Sequence, residues 1–380
     1  MKSLLANLNS SLNIVSLFAG CGGLDLGFAQ AGFKTIWANE WDKEIWHTYE
    51  SNHVNTHLDH RDIREIASSQ IPDCIGIVGG PPCQSWSEAG RQKGIKDDRG
   101  RLFLEYVRIL QDKQPLFFLA ENVSGMLHQK HSQALKNIIA AFEEAGYEVR
   151  FKLLDAVNFN VPQQRKRVIF VGFRQDLERA FDFERKAVAG VSHVEAIEAV
   201  KTVKQQPKLT LKDAIWDLRA SALAAKAKNK TNDKACLIPN HEYATGGFSS
   251  MYMSRNRVRS WQEPSFTIQA SCRHAPIHPH ASKMINVARD KFIFDPDSPY
   301  PYHRLSVREC ARIQTFPDDF IFYYQNLNAG YKMIGNAVPV NLSWALATAI
   351  KEQLLNPAFK NQQKKEPSQL NLDLNLTLAN

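Results

Sequence analysis

Gly79-Gly80-Pro81-Pro82-Cys83-Gln84-Ser85-Trp86-Ser87 is the stretch on which the reading of this chain turns. It follows the apolar run Cys74-Ile75-Gly76-Ile77-Val78, which reads as a short buried strand. Two glycines let the chain turn sharply, and two prolines fix the backbone just ahead of the cysteine. The expected result is a thiol held rigidly at the carboxyl end of a strand, where open α/β sheets place their chemistry. A structural cysteine needs no such stiffened turn. The residues that follow, to Arg101, are polar, with Gly90, Gly94 and Gly100 among Arg91, Lys93, Lys96 and Arg99. A cationic loop beside a nucleophile is the expectation.

Upstream, Asn13 to Phe18 reads as a first strand and Ala19-Gly20-Cys21-Gly22-Gly23 as a glycine-rich turn. Leu24 to Gly32 reads as a helix, and Thr35 to Glu40 as a second strand ending in an acid. Strand, glycine loop, helix, strand and acid follow in the order of a nucleotide-type βαβ unit. A carboxylate at Glu40 can accept from both ribose hydroxyls. The third glycine position of G-x-G-x-x-G, counted from Gly20, is Asp25. A carboxylate there repels a pyrophosphate. It suits a cofactor with positive charge and no phosphate, such as S-adenosylmethionine.

Downstream, Arg61-Asp62-Ile63 ends a possible third strand, where Asp62 reads equally as an adenine acceptor or a turn acid. Leu102 to Gln111 reads as a helix. Leu116 to Ala120 is a continuous apolar run, hence a central strand, and it delivers Glu121-Asn122-Val123 at its carboxyl end. Gln163-Gln164-Arg165-Lys166-Arg167 leads into another buried strand, with Arg165 and Arg167 expected to point the same way. From about residue 176 the chain turns lysine-rich, with Lys226, Lys228, Lys230 and Lys234 in one loop. Arg255, Arg257 and Arg259 alternate, which on a strand makes a cationic comb, and Ser265 to Ser271 is expected to continue as strand. Gly335-Asn336-Ala337-Val338-Pro339 reads as a turn into a closing helix with Pro339 in its first turn. The tail from Pro357 is Gln-, Asn- and Lys-rich and is expected to be loose.

At 380 residues with 44% apolar content, the chain can fill one large or two ordinary domains. A net charge of +8 favours a polyanionic partner. Six scattered cysteines without a Cys-x-x-Cys pair signal neither zinc nor a disulfide framework, so reduced cytosolic thiols are expected. Met1 to Ser11 lacks the apolar core of a signal peptide, and no apolar run is expected to reach membrane-spanning length.

In order along the chain, the segments Phe18 to Gly23, Pro81-Pro82-Cys83-Gln84, Glu121-Asn122-Val123, Gln163-x-Arg165-x-Arg167, Arg304 to Phe316 and Gly335 to Pro339 resemble the DNA cytosine-C5 methyltransferase family. Pro239-Asn240-His241-Glu242-Tyr243 and Met253 to Arg259 further resemble its HaeIII-type members. The resemblance implies a doubly wound, Rossmann-like α/β catalytic domain (1–176 plus 330–356). It also implies a smaller, β-rich recognition domain (177–329), with DNA in the cleft between them. It implies methyl transfer from S-adenosylmethionine, without a metal, to C5 of the inner cytosine of double-stranded GGCC. A monomer is implied, with a restriction endonuclease of the same specificity as its counterpart and no membrane attachment.

By the same resemblance Cys83 is the nucleophile at C6 and Glu121 meets the N3 edge. Arg165 lies near the ring carbonyl, with Arg167 in support. The cofactor pocket falls to Phe18, Ala19, Gly20, Gly22, Gly23, Leu24, Glu40, Trp41, Asp62, Ile63, Pro82, Leu102, Asn336 and Val338. DNA contacts fall to Ser85, Ser87, Arg91, Arg255, Arg257, Arg259, Gln269 and Arg273. An RNA cytosine methyltransferase with the same core is one alternative, and the long arginine-bearing segment argues against it; a non-enzymatic DNA-binding protein with a decayed site is the other, and the presence of Cys83, Glu121 and Arg165 argues against that.

Overall fold

The computed structural model describes residues 12–82, 98–177, 181–183 and 208–355, without the side chains of 98–101 and 355. Seven strands make one sheet: β1 (Asn13–Leu17), β2 (Lys34–Asn39), β3 (His57–Asp59), β4 (Gly76–Gly79), β5 (Phe117–Val123), β6 (Tyr147–Asp155) and β7 (Lys166–Arg174). Their order is β3-β2-β1-β4-β5-β7-β6. The first five run parallel, and β7 runs antiparallel to both its neighbours.

Both faces of this sheet are buried, which is why its strands read as continuous apolar runs rather than as alternation. Helices α1 (Gly23–Gln30) and α8 (Val340–Leu355) cover one face, and α3 (Asp98–Lys113) and α4 (Ser132–Glu144) cover the other. Successive residues of one strand go to opposite cores. Phe117 and Leu119 meet Phe28 and Leu342 on the first face, while Phe118 and Ala120 meet Tyr106 and Phe142 on the second. The fold is therefore doubly wound, as expected.

The closing helix packs on α1 and shares an apolar cluster with Ile14 of the first strand. The two helices approach so closely that a Cβ on Gly27 would lie 2.4 Å from Ser343 Cβ and 2.6 Å from the Trp344 nitrogen. Ser343 Oγ donates to the Leu24 carbonyl at 2.6 Å across the same contact. Pro339 sits just ahead of α8, not inside it, because α7 (Leu327–Asn336) ends in the preceding turn. The stretch Leu327–Leu354 is long and apolar enough to cross a membrane, contrary to the sequence reading. It is 61% buried within the fold and consists of the two core helices α7 and α8 broken at Ala337-Val338-Pro339.

Among the described residues the remaining α-helices are α2 (Lys43–Asn52), α5 (Leu211–Ile215) and α6 (Val307–Ile313). A third apolar cluster joins Cys21 and Ile45 to Leu211, Val307, Phe316, Tyr331 and Val340, so the later half of the chain packs on the glycine-loop end of the sheet. This half is mostly irregular. Its paired strands are short: β8 (Leu223–Ala224) with β9 (Glu242–Tyr243), and β10 (Ile285–Ala288) with β11 (Lys291–Ile293). The strands expected over 253–261 and 265–271 do not form; only isolated bridges at Val258 and Ser265 remain.

Side chains replace the missing ladder. Asn256 Oδ1 accepts from the Val258 and Met284 amides at 3.2 and 3.0 Å, and Gln163 Oε1 accepts from the Ile268 amide at 2.9 Å. These bonds satisfy backbone groups that would otherwise demand a neighbouring strand.

The α1–α8 contact leaves no room for a side chain at position 27. Gly27→Val is expected to destabilise the protein by about 1–3 kcal/mol through overpacking, measured by urea denaturation.

Candidate active site

Parallel strands end on the same side, so their carboxyl-terminal loops converge there. β1 ends in the glycine loop, β2 in Glu40 and Trp41, β4 in Gly80-Pro81-Pro82, and β5 carries Glu121. Because β7 is antiparallel, its beginning lies at this same end, with Arg167 opposite Val123.

Glu40 is fixed from both sides. Oε2 accepts from the Gly20 amide and Oε1 from the Asp42 amide, each at 2.9 Å. Burial raises its pKa, and those two amides pull it back down. One bond per oxygen leaves each with a spare lone pair. Gly20 has a φ of 56° and open space where a Cβ would stand. The adjoining Trp41 side chain is 68% exposed. An anchored carboxylate, an open glycine turn and a free indole suit the ribose and adenine of S-adenosylmethionine. Phe18, Ile63 and Leu102 belong to one apolar cluster nearby. Gly23 lies against Ala337 and the Val338 carbonyl, while Asn336 is exposed. Asp62 caps a 3-10 turn and is paired with Arg64.

Asp25 does not face this pocket, contrary to the sequence reading. It is buried between β1 and β2, accepting from Ser16 Oγ at 3.1 Å and Thr35 Oγ1 at 3.2 Å. Its pKa is raised by burial, against the influence of His53. The carboxylate ties the helix to the sheet and repels nothing in the loop.

At β5 and β7, Glu121 Oε1 meets Arg167 Nε at 2.6 Å, with both side chains only slightly exposed. The other oxygen, Oε2, lies 3.4 Å from where a Cβ on Gly80 would stand, so the carboxylate overhangs the Pro81-Pro82 turn. Asn122 holds that turn by donating from Nδ2 to the Pro81 carbonyl at 2.9 Å. The sequence reading quoted Asn122 without giving it a task. Cys83 itself, with Ser85, Ser87 and Arg91, lies outside the described residues. Every described cysteine has its thiol pKa raised by burial, Cys21 and Cys74 to about 12 and Cys236 to about 11. None of the five is an activated nucleophile.

The two arginines of Gln163-x-Arg165-x-Arg167 part company. Arg165 is 1% exposed. It donates to the Ile268 carbonyl at 2.9 Å, and to Gly335 and Ala337 at 2.8 and 3.0 Å. Burial lowers its pKa, Arg167 pushes the same way, and Glu121 opposes. Arg165 is thus a tie between three segments. The sequence reading gave Arg165 a place near the ring carbonyl and Arg167 a supporting one; in the structure it is Arg167 that pairs with the Glu121 carboxylate. Gln163 completes the tie by donating to Gln314 Oε1 at 2.9 Å, and Gln314 donates onward to Ile334. Gln314 was unremarked within the Arg304 to Phe316 motif; its full burial among carbonyls is a tertiary fact.

The arginine comb is also corrected. Arg257 folds back onto the Tyr252 ring and donates to the Tyr252 and Met251 carbonyls at 2.7 and 3.1 Å. Arg259 bonds Glu263 and Gln164 at 2.7 and 2.6 Å. Arg255 is exposed, as are Gln269 and Arg273. Without a strand, period-two spacing does not hold the three guanidinium groups on one face.

The model of the C-5 cytosine-specific DNA methylase family matches residues 12–352. The chain belongs to that family. The methyltransferase is 52% identical over 361 residues to the Type II methyltransferase M.FnuDI of Fusobacterium nucleatum, covering 95% of this chain and 99% of that one. It is 52% identical over 344 residues to M.MthTI of Methanothermobacter thermautotrophicus, covering 90% and 98%. In fold it is similar to the Entamoeba histolytica methyltransferase EhMeth, with a TM-score of 0.60 at 16% identity over 91% and 99% of the two chains. It is an S-adenosylmethionine-dependent enzyme acting on DNA. Among the described residues no group of three His, Cys, Asp or Glu is arranged to hold a metal ion.

The two arginines should separate on substitution. Arg165→Ala takes the donor from the buried Ile268 and Gly335 carbonyls and leaves the Ala337 carbonyl only the 3.4 Å bond from Gln314. It is expected to lower stability by at least about 3 kcal/mol, at roughly 1.5–3 kcal/mol per charged hydrogen bond. Arg167→Ala should keep its melting temperature within a few degrees yet lose methyl transfer. Calorimetry beside a labelled-methyl assay reads both.

Proposed function

We propose that this methyltransferase modifies the inner cytosine of double-stranded GGCC, as the protective half of a restriction-modification system. The observation that carries the chemistry is the Glu121–Arg167 pair overhanging the Pro81-Pro82 turn, which Asn122 pins and which leads into Cys83.

Cytosine C5 is a weak nucleophile. Addition of the Cys83 thiolate to C6 forms a C–S bond and makes C5 enamine-like. Glu121 meets the N3 edge and steadies the adduct, and Arg167 donates to the ring carbonyl. S-adenosylmethionine, when bound, supplies an electrophilic methyl group to C5. A base then takes the C5 proton, the electron pair reforms the ring double bond, and the C–S bond breaks to release Cys83. A stacked base cannot be reached in this way, so the cytosine is flipped out at a cost of a few kcal/mol. Residues 85–101 are the segment to fill the gap.

Residues 177–329 are read as the recognition domain. The GGCC assignment is supported by the resemblance of Pro239 to Tyr243 and of Met253 to Arg259 to HaeIII-type enzymes. Pro239 to Tyr243 acts as internal scaffold: His241 bonds Ser306 and the Leu218 carbonyl, and Glu242 takes the Thr231 and Tyr324 hydroxyls. Target reading then falls to exposed donors, and the exposed Arg255 is the one we assign to guanine O6 and N7, which an arginine can meet bidentately.

Labelled methyl transfer to defined duplexes, with mapping of the modified base, tests the reading. Cys83→Ala is expected to abolish transfer while calorimetric binding of S-adenosylmethionine persists. The wild type should form a denaturation-resistant adduct on 5-fluorocytosine DNA, whose C5 substituent blocks the final proton removal. Retained turnover in Cys83→Ala would rule out the covalent route.

Arg255→Ala is expected to lose about 1–3 kcal/mol of discrimination at one position, measured as methylation of GGCC beside AGCC and its other single-base variants. An unchanged preference with a shallower salt dependence would make Arg255 a phosphate contact instead.

A further inference from the structure

Lys226, Lys228, Lys230 and Lys234 share one loop beside the recognition segment, and all four are exposed. The acids nearest in sequence are turned away from them. Asp233 Oδ1 accepts from the Asn240 amide, and Glu242 accepts from the Thr231 hydroxyl and the Asn232 amide. Among the described residues no acid is paired with these four lysines, so the outward face of the loop is positively charged.

An ordinary solvated lysine run needs no fixed backbone, and this one has it. Lys226 donates its amide to the Lys230 carbonyl at 2.9 Å, and Asn326 Nδ2 donates to the Lys228 carbonyl at 2.9 Å. Lys228 and Asn229 hold consecutive left-handed conformations, with φ of 58° and 55°. For lysine that conformation is uncommon and is kept only where surrounding contacts impose it.

The loop is also placed. Asn229 Oδ1 accepts from the Thr245 amide at 2.8 Å, and its Nδ2 lies 4.0 Å from Cys272 Sγ. Cys272 adjoins the exposed Arg273. The same segment rests at Gln269–Ala270 on Gly335, where a Cβ would meet backbone at 2.3 Å. Arg165 bonds the carbonyl of that glycine, and the next arginine along β7, Arg167, pairs with Glu121. Short contacts thus lead from the catalytic pair to the recognition segment and on to the lysine loop.

We infer that this loop grips the phosphate backbone of duplex DNA flanking the target site, beyond the base pairs that are read. Lysine suits the task as a compact point charge, and contacts to phosphate carry no sequence information directly. The inference rests on the DNA-methyltransferase reading.

The test is equilibrium binding, followed by fluorescence anisotropy across a salt series. One duplex is just long enough for the target, and a second carries long flanks. The double variant Lys228→Gln/Lys230→Gln is compared with Lys34→Gln/Lys136→Gln, an equal change of charge on the opposite end of β2 and on α4. The loop variant should lower the salt slope by about 2 on the long duplex, at roughly 0.9 per phosphate contact. On the short duplex the change should be small, and the preference for GGCC over AGCC should be unaltered. The control should keep the wild-type slope. A loop variant that behaves as the control does on the long duplex overturns the inference alone. A wild-type protein that binds no duplex overturns the DNA-methyltransferase reading, and this inference with it.

Discussion

The buried guanidinium of Arg165 holds the catalytic end of the sheet to the rest of the molecule. A cation removed from water is tolerated only where hydrogen bonds replace its hydration. Here three carbonyls do so, from Ile268 in one segment and from Gly335 and Ala337 in another, both far from Arg165 in sequence. Gln163 and Gln314 repeat the pattern with neutral amides. The irregular segment that leads to the exposed Gln269 and Arg273 is therefore bonded to the start of β7 and the end of α7. The segment around Ile268 and the end of the sheet that carries Glu121 and Arg167 are thus held in one frame.

The antiparallel direction of β7 makes this frame possible. In an all-parallel sheet the start of the last strand would lie at the far end. Reversed, β7 brings Arg165 and Arg167 to the edge where β4 and β5 end, and its register sets Arg167 beside Glu121. Asn122, the next residue along β5, holds the proline turn. Consecutive strand residues thus divide two tasks, Glu121 pairing with Arg167 and Asn122 holding the turn that precedes Cys83.

The basic residues divide in a similar way. Arg165, Arg304 and Arg308 are buried and give their donors to carbonyls, which their planar forks can satisfy several at a time. The lysines of the 226–234 loop stay outside. A net charge of +8 therefore says little about which face meets DNA. Position in the fold decides which charges remain free.

Much of the architecture was legible in the sequence. Apolar runs such as Leu116 to Ala120 can be satisfied only by a strand buried on both faces. The turns after Leu17 and Gly79 need glycine or proline at fixed places, and an acid at the end of β2 has one ready use in a nucleotide-type unit. These are local constraints, set by neighbours along the chain. Other features waited on partners brought from far away. Asp25 looked like part of the loop until β1 and β2 closed around it with Ser16 and Thr35. Arg255, Arg257 and Arg259 looked equivalent until Tyr252, Glu263 and Gln164 engaged two of them. The roles of Arg165 and Arg167 could not be told apart by spacing, because one is defined by carbonyls more than a hundred residues downstream and the other by a carboxylate on the neighbouring strand. Local sequence determined where the chain turns and which runs are buried; only the tertiary structure decided which polar groups are consumed inside and which are left to act.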